Sequence, residues 1–339
     1  MRKFLLLACA LALTPQSAGA QPLEKVKMSI AARAMNYAPY FIPIAKGYFK
    51  DEGLDVEIVD AGGGVATPAQ ISGEIDFNTS ASSALSPILR GANLRIVYYP
   101  WDKTIYQIWA TTPEIKTLAD VKGRAVGIQT RGDTFELGVR IALANHGIDP
   151  NSVSYTPLGL NNARRAAIAA GSLPVAAITP EDVEWLKTTS QIKNSHLLYD
   201  MYPDIGMPLA GTSVRTADLE KNRARVKRFL RAVDKGFMYA VAFRAETVDI
   251  VAEFAKNSDK ASLNATYKDT IVTRTKDGTI SEALQRQESS MRAELIKIDK
   301  DKIPPLNKMY DFSVAREAWD ELAKEGWKPT KLGDVRCAL

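Results

Sequence analysis

Short apolar runs alternate along the chain with longer segments that have apolar residues on one helical face. Over the first two thirds of the chain, the apolar runs predict β-strands at residues 26–31, 56–59, 94–99, 105–110, 125–129, 153–156 and 175–179. The segments between them have the apolar spacing of α-helices, at residues 39–50, 67–72, 81–90, 133–146, 161–170 and 180–188. This alternation predicts parallel α/β units.

After about Ala210 the pattern changes and predicts mostly helices. The strongest apolar stripe runs from Val226 to Val241, and the opposite face of that helix is basic, with Arg223, Arg225, Lys227, Arg228 and Arg231. Such a face can contact nucleic acid or anionic lipid, but on an amphipathic helix it is usually solvated, and we favour that interpretation. We find no internal repeat and no low-complexity segment.

The N-terminal segment has the pattern of a bacterial secretory signal. Arg2 and Lys3 precede an apolar stretch at residues 4–13, which is followed by Ala18-Gly19-Ala20. The stretch is too short to span a bilayer, and no later segment is long enough. We therefore expect cleavage before Gln21 and a periplasmic protein. Cleavage as a lipoprotein at Cys9 is the alternative, although it would leave almost no hydrophobic region before it.

Composition indicates a globular protein of two domains or one large domain. The 339 residues are 46% hydrophobic and 24% charged, which is enough to form a sizeable core. Without Arg2 and Lys3, 42 of the 44 basic residues remain against 39 acidic ones, so the net charge is +3. This charge is too small to indicate a nucleic-acid partner. After cleavage Cys337 is the single cysteine, which excludes an intramolecular disulfide.

The sequence offers little catalytic or metal-binding chemistry. Its two histidines, His146 and His196, lack the spaced companions of a metal site, and no G-x-S-x-G motif is present. We expect structural or surface roles for both, and no cofactor or metal.

Three consecutive glycines, Gly62 to Gly64, follow a predicted strand and precede a predicted helix. They lack the Lys-Ser/Thr end of a phosphate loop, and Thr67 stands where a dinucleotide fingerprint has Gly or Ala. Two interpretations remain. The turn either exposes backbone N–H groups at a helix start to a polar ligand, or it needs glycine for positive φ.

The order of motifs is similar to that of a known family. The stretches NYAPYFIPIAKGYFKDEGLDVEIVDAGGG, ISGEIDFNTSASSALSPILRGANLRIV and IKTLADVKGRAVGIQTRGDTFELGVRIALANHGIDPNSVSYTPL span much of residues 25–250. They resemble the solute-binding proteins of bacterial ABC importers, in the subgroup for sulfonates, nitrate and thiamine precursors. KGYFKDEGLDVE and LADVKGRAVGI are specific to that superfamily but do not identify the ligand.

The resemblance implies the type 2 periplasmic-binding-protein fold, with two α/β lobes, two crossing segments as a hinge, and a ligand cleft between the lobes. Carried onto this chain, the crossings are residues 105–111 and 209–214. Lobe one is then residues 21–108 plus 214–339, and lobe two is residues 109–213. The expected partners are a small-molecule ligand and a membrane ABC permease, with the protein acting as a monomer and without nucleic acid.

The resemblance also places ligand-binding residues in the loops that follow the strands. They are Arg33, Asn36, Tyr37, Gly63, Gly64, Ser80, Ser82, Trp101, Thr130, Arg131, Gly132, Asn162 and Thr179. One departure concerns the family phrase Gly-x-Val-Asp-Ala, because residues 171–177 here read GSLPVAA.

Two arginines suggest the charge of the ligand. Arg33 and Arg131 are predicted to lie in cleft loops of opposite lobes, and guanidinium groups pair with carboxylate, sulfonate or phosphate. The alternative is that both are solvated surface residues. Tyr37 and Trp101 are candidates for walls around an aromatic or aliphatic body. We therefore expect a small organic anion, with sulfonate or carboxylate ahead of nitrate.

Two other functions use the same fold. Some thiamine-precursor synthases share it, but they have a cysteine-rich motif, which is absent here, and a lysine for pyridoxal phosphate. A periplasmic sensor that passes ligand state to a membrane receptor would use the same cleft. We expect a binding protein rather than an enzyme.

Overall fold

The structure, a computed structural model, describes residues 22–188, 195–202, 204–256 and 259–331. The expected signal segment and both cysteines lie outside these residues. The strands are β1 Glu24–Ile30, β2 Leu54–Asp60, β3 Phe77–Asn78, β4 Leu94–Tyr98, β5 Gln107–Ala110, β6 Ala125–Ile128, β7 Ser154–Pro157, β8 Val175–Ile178, β9 His196–Asp200 and β10 Thr212–Arg215.

The helices follow most strands and dominate the last third of the chain. They are α1 Ala38–Ala45, α2 Tyr48–Asp51, α3 Gly63–Ser72, α4 Ala81–Leu89, α5 Thr134–Asn145, α6 Asn161–Ala169, α7 Pro180–Thr188, α8 Thr216–Lys221, α9 Arg223–Ala242, α10 Arg244–Ala255, α11 Lys260–Ile271, α12 Glu282–Leu295, α13 Leu306–Met309 and α14 Ser313–Lys324. Within the described part of the chain, no helix is long and apolar enough to cross a membrane.

Two five-stranded sheets form the centres of two α/β lobes. The first has the order β2-β1-β3-β10-β4, and the second has the order β7-β6-β8-β5-β9. β1 is parallel to β2 and β3, and β6 is parallel to β7 and β8. β10 in the first sheet and β5 in the second run antiparallel to their neighbours. The expected two-lobed α/β fold is confirmed.

The crossing segments lie earlier in the chain than the sequence places them. β5 is hydrogen-bonded within the second sheet and β10 within the first, so the crossings are residues 99–106 and 201–211. The two segments touch where the Leu209 N–H donates to the Trp101 carbonyl, at 3.1 Å. The backbone between the lobes is therefore a paired two-stranded connection.

Most predicted elements are present, with local differences. The predicted helix at residues 39–50 is two helices, because Gly47 adopts φ +78° between α1 and α2. α3 begins at Gly63, four residues before the predicted start. β3, β9 and β10 were not predicted; β3 has two residues, too few to show a periodicity.

The long helix α9 buries its apolar stripe in lobe one, where the ring of Phe229 stacks on that of Phe77 at 3.7 Å. Its basic residues are paired within the protein. Arg231 contacts Glu52, Glu321 and Glu325, and the other four basic residues of this face each pair with at least one carboxylate. These ion pairs favour a structural role over a nucleic-acid or lipid surface.

Candidate functional site

A cavity of about 40 Å³ lies between the lobes. Lobe one contributes the segment after β1, the start of α3 and the start of α4, while lobe two contributes the loops after β6 and β8 and part of α6. The lining residues are Ala31, Ala32, Ala34, Asn36, Tyr37, Gly63, Ser80, Ala81, Ser82, Ser83, Tyr106, Gln129, Asp133, Thr134, Phe135, Arg164, Thr179, Leu209 and Ala210. The last two belong to the second crossing segment, so both lobes and the hinge enclose the same space.

The lobe-one wall is formed by polar side chains at the carboxyl ends of strands. Asn36 and Tyr37 lie in a short 3-10 turn after β1, and Ser80 precedes α4. Burial raises the pKa of Tyr37 to about 12, although the neighbouring hydroxyls of Ser80 and Thr79 oppose this effect. The Ser80 hydroxyl is buried and has no hydrogen-bond partner among the described residues.

The lobe-two wall contains two charged groups that are already bound by protein atoms. The Arg164 guanidinium donates to Asp182 Oδ2 at 2.6 and 3.1 Å and to Gln129 Oε1 at 3.2 Å. Arg165 donates to Asp182 Oδ1 at 2.8 Å and to Glu181 Oε1 at 2.9 Å. Burial opposes ionisation of Asp182, but the two guanidinium groups outweigh it and lower the pKa of Asp182 to about 2. This network is fully buried and nearly balanced in charge.

Asp133 is the second charged group of this wall, and it caps α5. Its carboxylate accepts from Glu136 N at 3.0 Å and from Thr130 N at 2.7 Å. Burial raises the pKa of Asp133 to about 6, although these hydrogen bonds favour the ionised form. The wall therefore includes a carboxyl group that changes charge near neutral pH.

The cavity leaves several uncharged polar groups available. Among the described residues, the Asn36 carboxamide, Gln129 Nε2 and the Ser80 and Ser83 hydroxyls have no hydrogen-bond partner. The rings of Tyr37, Tyr106 and Phe135 lie in the same lining, and those of Tyr106 and Phe135 stack at 3.9 Å. The site can thus hydrogen-bond a polar group and pack an apolar or aromatic face.

Six of the residues expected from the sequence line this cavity: Asn36, Tyr37, Gly63, Ser80, Ser82 and Thr179. Thr130 lies behind the wall, where its N–H and hydroxyl bind Asp133. Gly64, Arg131 and Gly132 line a second groove outside the cavity. Asn162 is exposed on α6.

The structure does not bring the two expected arginines together. Arg33 donates to both carboxylate oxygens of Asp60, at 2.7 and 3.0 Å, and to the Phe254 carbonyl at 3.0 Å. Arg131 is exposed in the outer groove. Arg33 meets Asp60 because β1 and β2 end in register, with Ile30 opposite Asp60.

Trp101 is also outside the cavity lining, because it is fully buried within the hinge region. Its indole N–H donates to the Asn36 carbonyl at 2.8 Å. The ring therefore fixes the turn that presents Asn36 instead of forming a wall of the cavity.

Arg164 is the main site residue that sequence reasoning missed. It lies in the first turn of α6, two residues after the predicted site residue Asn162. A helix start that follows a strand is a position that faces such clefts. Tyr106 and Phe135 were missed because nothing in their local pattern separates cavity-lining rings from core rings.

Among the described residues, no cluster of His, Cys, Asp and Glu could hold a metal ion.

Of the two interpretations of the three glycines, the need for positive φ is wrong, whereas the start of α3 does lie at the cavity through Gly63. None of Gly62, Gly63 and Gly64 has positive φ. A Cβ on Gly63 would lie 2.1 Å from Ser83 Oγ, and one on Gly64 would lie 2.9 Å from the Arg131 carbonyl oxygen. Glycine is required here because α3 approaches α4 and lobe two closely.

Comparisons with known proteins agree with this architecture. The chain is 23% identical to the riboflavin-binding protein RibY of Chloroflexus aurantiacus over 258 residues, which cover 72% of this chain and 71% of RibY. A solved protein of Bordetella bronchiseptica RB50 aligns with a TM-score of 0.75 at 23% identity, covering 88% of this chain and 98% of that one.

The alkanesulfonate-binding protein SsuA of Xanthomonas axonopodis pv. citri, solved bound to MOPS, aligns with a TM-score of 0.67 at 16% identity. The alignment covers 85% of this chain and 96% of SsuA. The sequence pattern of the family described as NMT1/THI5 like matches residues 34–247. This chain belongs to the NMT1/THI5 like family and has the two-lobed fold of ABC-type periplasmic solute-binding proteins.

Proposed function

We propose that this protein captures a small polar solute outside the cytoplasm and delivers it to an ABC-type permease. The observation that supports this function is the cavity whose walls come from both lobes and from the second crossing segment. A solute in that position contacts both lobes, so it stabilises the closed arrangement in which they meet. No chemical step is needed, and no lysine lies among the described residues of the lining.

The available groups favour a solute with an uncharged head group. The cavity's guanidinium group, from Arg164, is already paired with Asp182, and Asp133 adds negative charge above about pH 6. What remains free are the Asn36 carboxamide, the donor Gln129 Nε2 and two hydroxyls beside aromatic rings, which match the donors and acceptors along the edge of a nitrogen heterocycle. The likeness to a riboflavin-binding protein supports this ligand class over the expected organic anion.

The size of the cavity restricts how such a solute binds. A volume of about 40 Å³ holds roughly three water molecules. A heterocyclic ring is larger, so the lobes would close around it at a wider angle than in this structure. Solute size would then set the angle between the lobes.

A small anion is the second candidate. The N-termini of α3, α4 and α7 meet the cavity at Gly63, Ser80 and Thr179, and helix N-termini attract negative charge. The SsuA structure shows the same fold with a sulfonate bound. Under this alternative the Arg164–Asp182 pair would have to rearrange to free a cation.

Direct identification of the solute separates these candidates. We would denature the purified protein, identify the released molecule by mass spectrometry, and test riboflavin, an aminopyrimidine, MOPS and nitrate by thermal shift. A solute at about 100 times its Kd should add about 2.7 kcal/mol of stability. Stabilisation by MOPS or nitrate alone would overturn the heterocycle assignment and favour the anion.

Substitution of Asn36 tests the cavity itself. Asn36→Ala removes a free carboxamide and should weaken binding of the identified solute about tenfold. Asn93→Ala, at an exposed position of lobe one, is the control and should leave affinity unchanged. Equal affinities of the two variants would contradict the placement of the solute.

A further inference from the structure

A second concave surface, which we call the outer groove, lies beside the cavity and has a volume of about 540 Å³. Its charged lining residues are Arg90, Arg131, Arg140, Glu136 and Lys297. Arg90 and Lys297 belong to lobe one, at the ends of α4 and α12, whereas the other three belong to lobe two. Four of the five are basic.

Both carboxylate oxygens of the single acidic residue of the groove, Glu136, accept hydrogen bonds from neighbouring residues. Glu136 Oε1 accepts from Arg140 Nε at 2.9 Å and Nη2 at 2.8 Å, and Oε2 accepts from Gly132 N at 2.9 Å. Within the ranges that the structure describes, the exposed side chains of Arg90, Arg131 and Lys297 form no ion pair. The groove therefore has three uncompensated positive charges.

This arrangement differs from the basic face of α9. That face is the most conspicuous basic run in the sequence, yet all five of its residues pair with carboxylates of the same chain. Unpaired cations from separate elements are instead gathered in the outer groove. A charged partner would gain more from the groove, because there it displaces no internal carboxylate.

Contacts across the lobe boundary form the floor of the groove. Gly64 of lobe one packs so close to the Arg131 carbonyl that a Cβ would lie 2.9 Å from it. Arg292 of α12 donates from Nη1 to the Gly132 carbonyl at 3.0 Å. If the lobes separate, these contacts break and Arg131 moves away from Arg90 and Lys297. The three charges form one surface only while the lobes are closed.

We infer that the outer groove docks an acidic protein segment of the membrane partner and thereby distinguishes the closed protein from the open one. This inference rests on the proposed function. Three cations at the rim of a concavity complement clustered Asp or Glu side chains. A protein segment fits better than a lipid surface, because it can enter the groove and contact the floor at Gly64 and Gly132 as well as the cations, whereas a flat membrane reaches only the rim.

The charge of the groove can be tested with a fluorescein-labelled hexaglutamate peptide, measured by anisotropy at low salt. Arg131→Glu and Lys297→Glu should each weaken peptide binding roughly tenfold. Lys50→Glu, which makes the same charge change on the exposed face of α2, should have little effect. Binding should also weaken at high salt. Equal losses in all three variants would overturn the inference, since net charge alone would then explain binding.

Whether peptide binding requires closed lobes has to be tested with a variant that keeps every charge of the outer groove. Gly64→Leu places a side chain against the Arg131 backbone and should hold the lobes apart, which an increased radius of gyration in X-ray scattering would report. It should weaken peptide binding although every cation remains. Unchanged peptide affinity in an opened protein would overturn the claim of closed-state recognition.

Two further experiments test other occupants of the outer groove and test whether the groove acts independently of the solute cavity. Binding to phosphatidylglycerol vesicles or to free sulfate, without binding to the peptide, would replace the protein segment with a lipid or a small anion. The Arg131→Glu and Lys297→Glu variants should keep the affinity of the wild-type protein for the solute identified above. Loss of solute binding in these variants would show that the groove residues also take part in solute binding, and would overturn the inference. Failure to find any solute would instead contradict the proposed function alone.

Discussion

At the residue scale, Asp133 is the titratable group with the clearest effect on the site. Its carboxyl group lies in the cavity wall, and burial raises its pKa from 3.8 to about 6. A raised pKa means that the folded state favours the protonated acid. The contribution of Asp133 to stability is therefore present at low pH and is lost as pH rises from about 4 to about 6.

Replacement of Asp133 by Asn tests this assignment, because the amide does not titrate. The difference between 3.8 and about 6 corresponds to about 3 kcal/mol. The free energy of unfolding of Asp133→Asn, relative to the wild-type protein, should rise by about that amount between pH 4 and pH 7. Urea denaturation at a series of pH values measures it. A difference that stays constant with pH would show that Asp133 titrates normally.

The sequence predicted the loops that supply the lobe-one wall of the cavity but not the directions of their side chains. Asn36, Tyr37 and Ser80 follow strands of the first sheet, and the carboxyl ends of parallel strands meet at one edge. Arg33 has the same kind of position, yet it turns to Asp60 at the end of the neighbouring strand. Strand register determined that ion pair, and the sequence alone does not show register.

At the element scale, α3 and α4 approach each other through Gly63. A Cβ at this position would lie 2.1 Å from Ser83 Oγ and 2.4 Å from Ser83 Cβ. Gly63→Ala should therefore push the helices apart, lower the free energy of unfolding by about 1 to 3 kcal/mol and weaken solute binding. Denaturant unfolding and calorimetry measure the two effects.

Gly64→Ala is the matched variant on the same helix. Its new methyl group would meet lobe two rather than α4, so it should hinder closure while changing the free energy of unfolding less than Gly63→Ala. The same loss of stability in both variants would contradict this assignment. Gly→Ala raises helix propensity at both positions, so a loss specific to Gly63 has to come from its contact with Ser83.

Helix α12 connects the lobes through a buried guanidinium group. Arg292 donates to Gly132, while its Nε and Nη2 have no partner among the described residues, and burial lowers its pKa. Nearby Glu288 does not depend on it for hydrogen bonds, because it accepts from Ser82, Tyr99 and Tyr310 at 2.5 to 3.0 Å. The hydrogen bond from Arg292 to the Gly132 carbonyl is therefore the contact of this side chain that forms only when the lobes are closed.

Arg292→Met should shift the protein toward the open arrangement. A hydrogen bond from a charged donor contributes about 1.5 to 3 kcal/mol, so solute affinity should fall by at least about tenfold. X-ray scattering should show a larger radius of gyration. Arg286→Met, on the exposed face of the same helix, removes a surface pair with Glu282 and should leave both quantities unchanged. Identical behaviour of the two variants would show that Arg292 does not hold the lobes together.

At the scale of the whole molecule, the family resemblance predicted two lobes and crossings at residues 105–111 and 209–214, which overlap the segments 99–106 and 201–211 between the two sheets. β4 and β5 are consecutive apolar strands with similar patterns, and nothing local shows that they belong to different sheets. β10 joins the first sheet from more than a hundred residues away in the chain, as an antiparallel neighbour of β3 and β4. Sheet membership is decided by tertiary pairing, which periodicity does not encode.

The second crossing segment offers a test of how the hinge couples to the site. Gly211 packs against the first crossing, where a Cβ would lie 2.2 Å from Tyr99 Cδ1 and 2.5 Å from the Tyr98 carbonyl oxygen. The Gly211 carbonyl also accepts from Ala81 N at 3.0 Å, at the start of α4. A side chain here would therefore disturb both the pairing of the crossings and the helix that presents Ser80 and Ser82.

We expect Gly211→Ala to lower the free energy of unfolding by about 2 kcal/mol or more, because backbone limits relaxation around the new methyl group. Solute affinity should fall as well, although Gly211 does not line the cavity. Gly206→Ala in the same crossing is the control, since its Cβ would meet the flexible end of Gln287 at 3.3 Å. Calorimetry measures the solute affinity of both variants, and urea denaturation measures their free energy of unfolding. If Gly211→Ala lost stability but bound solute normally, the crossings would hold the lobes together without governing how they close.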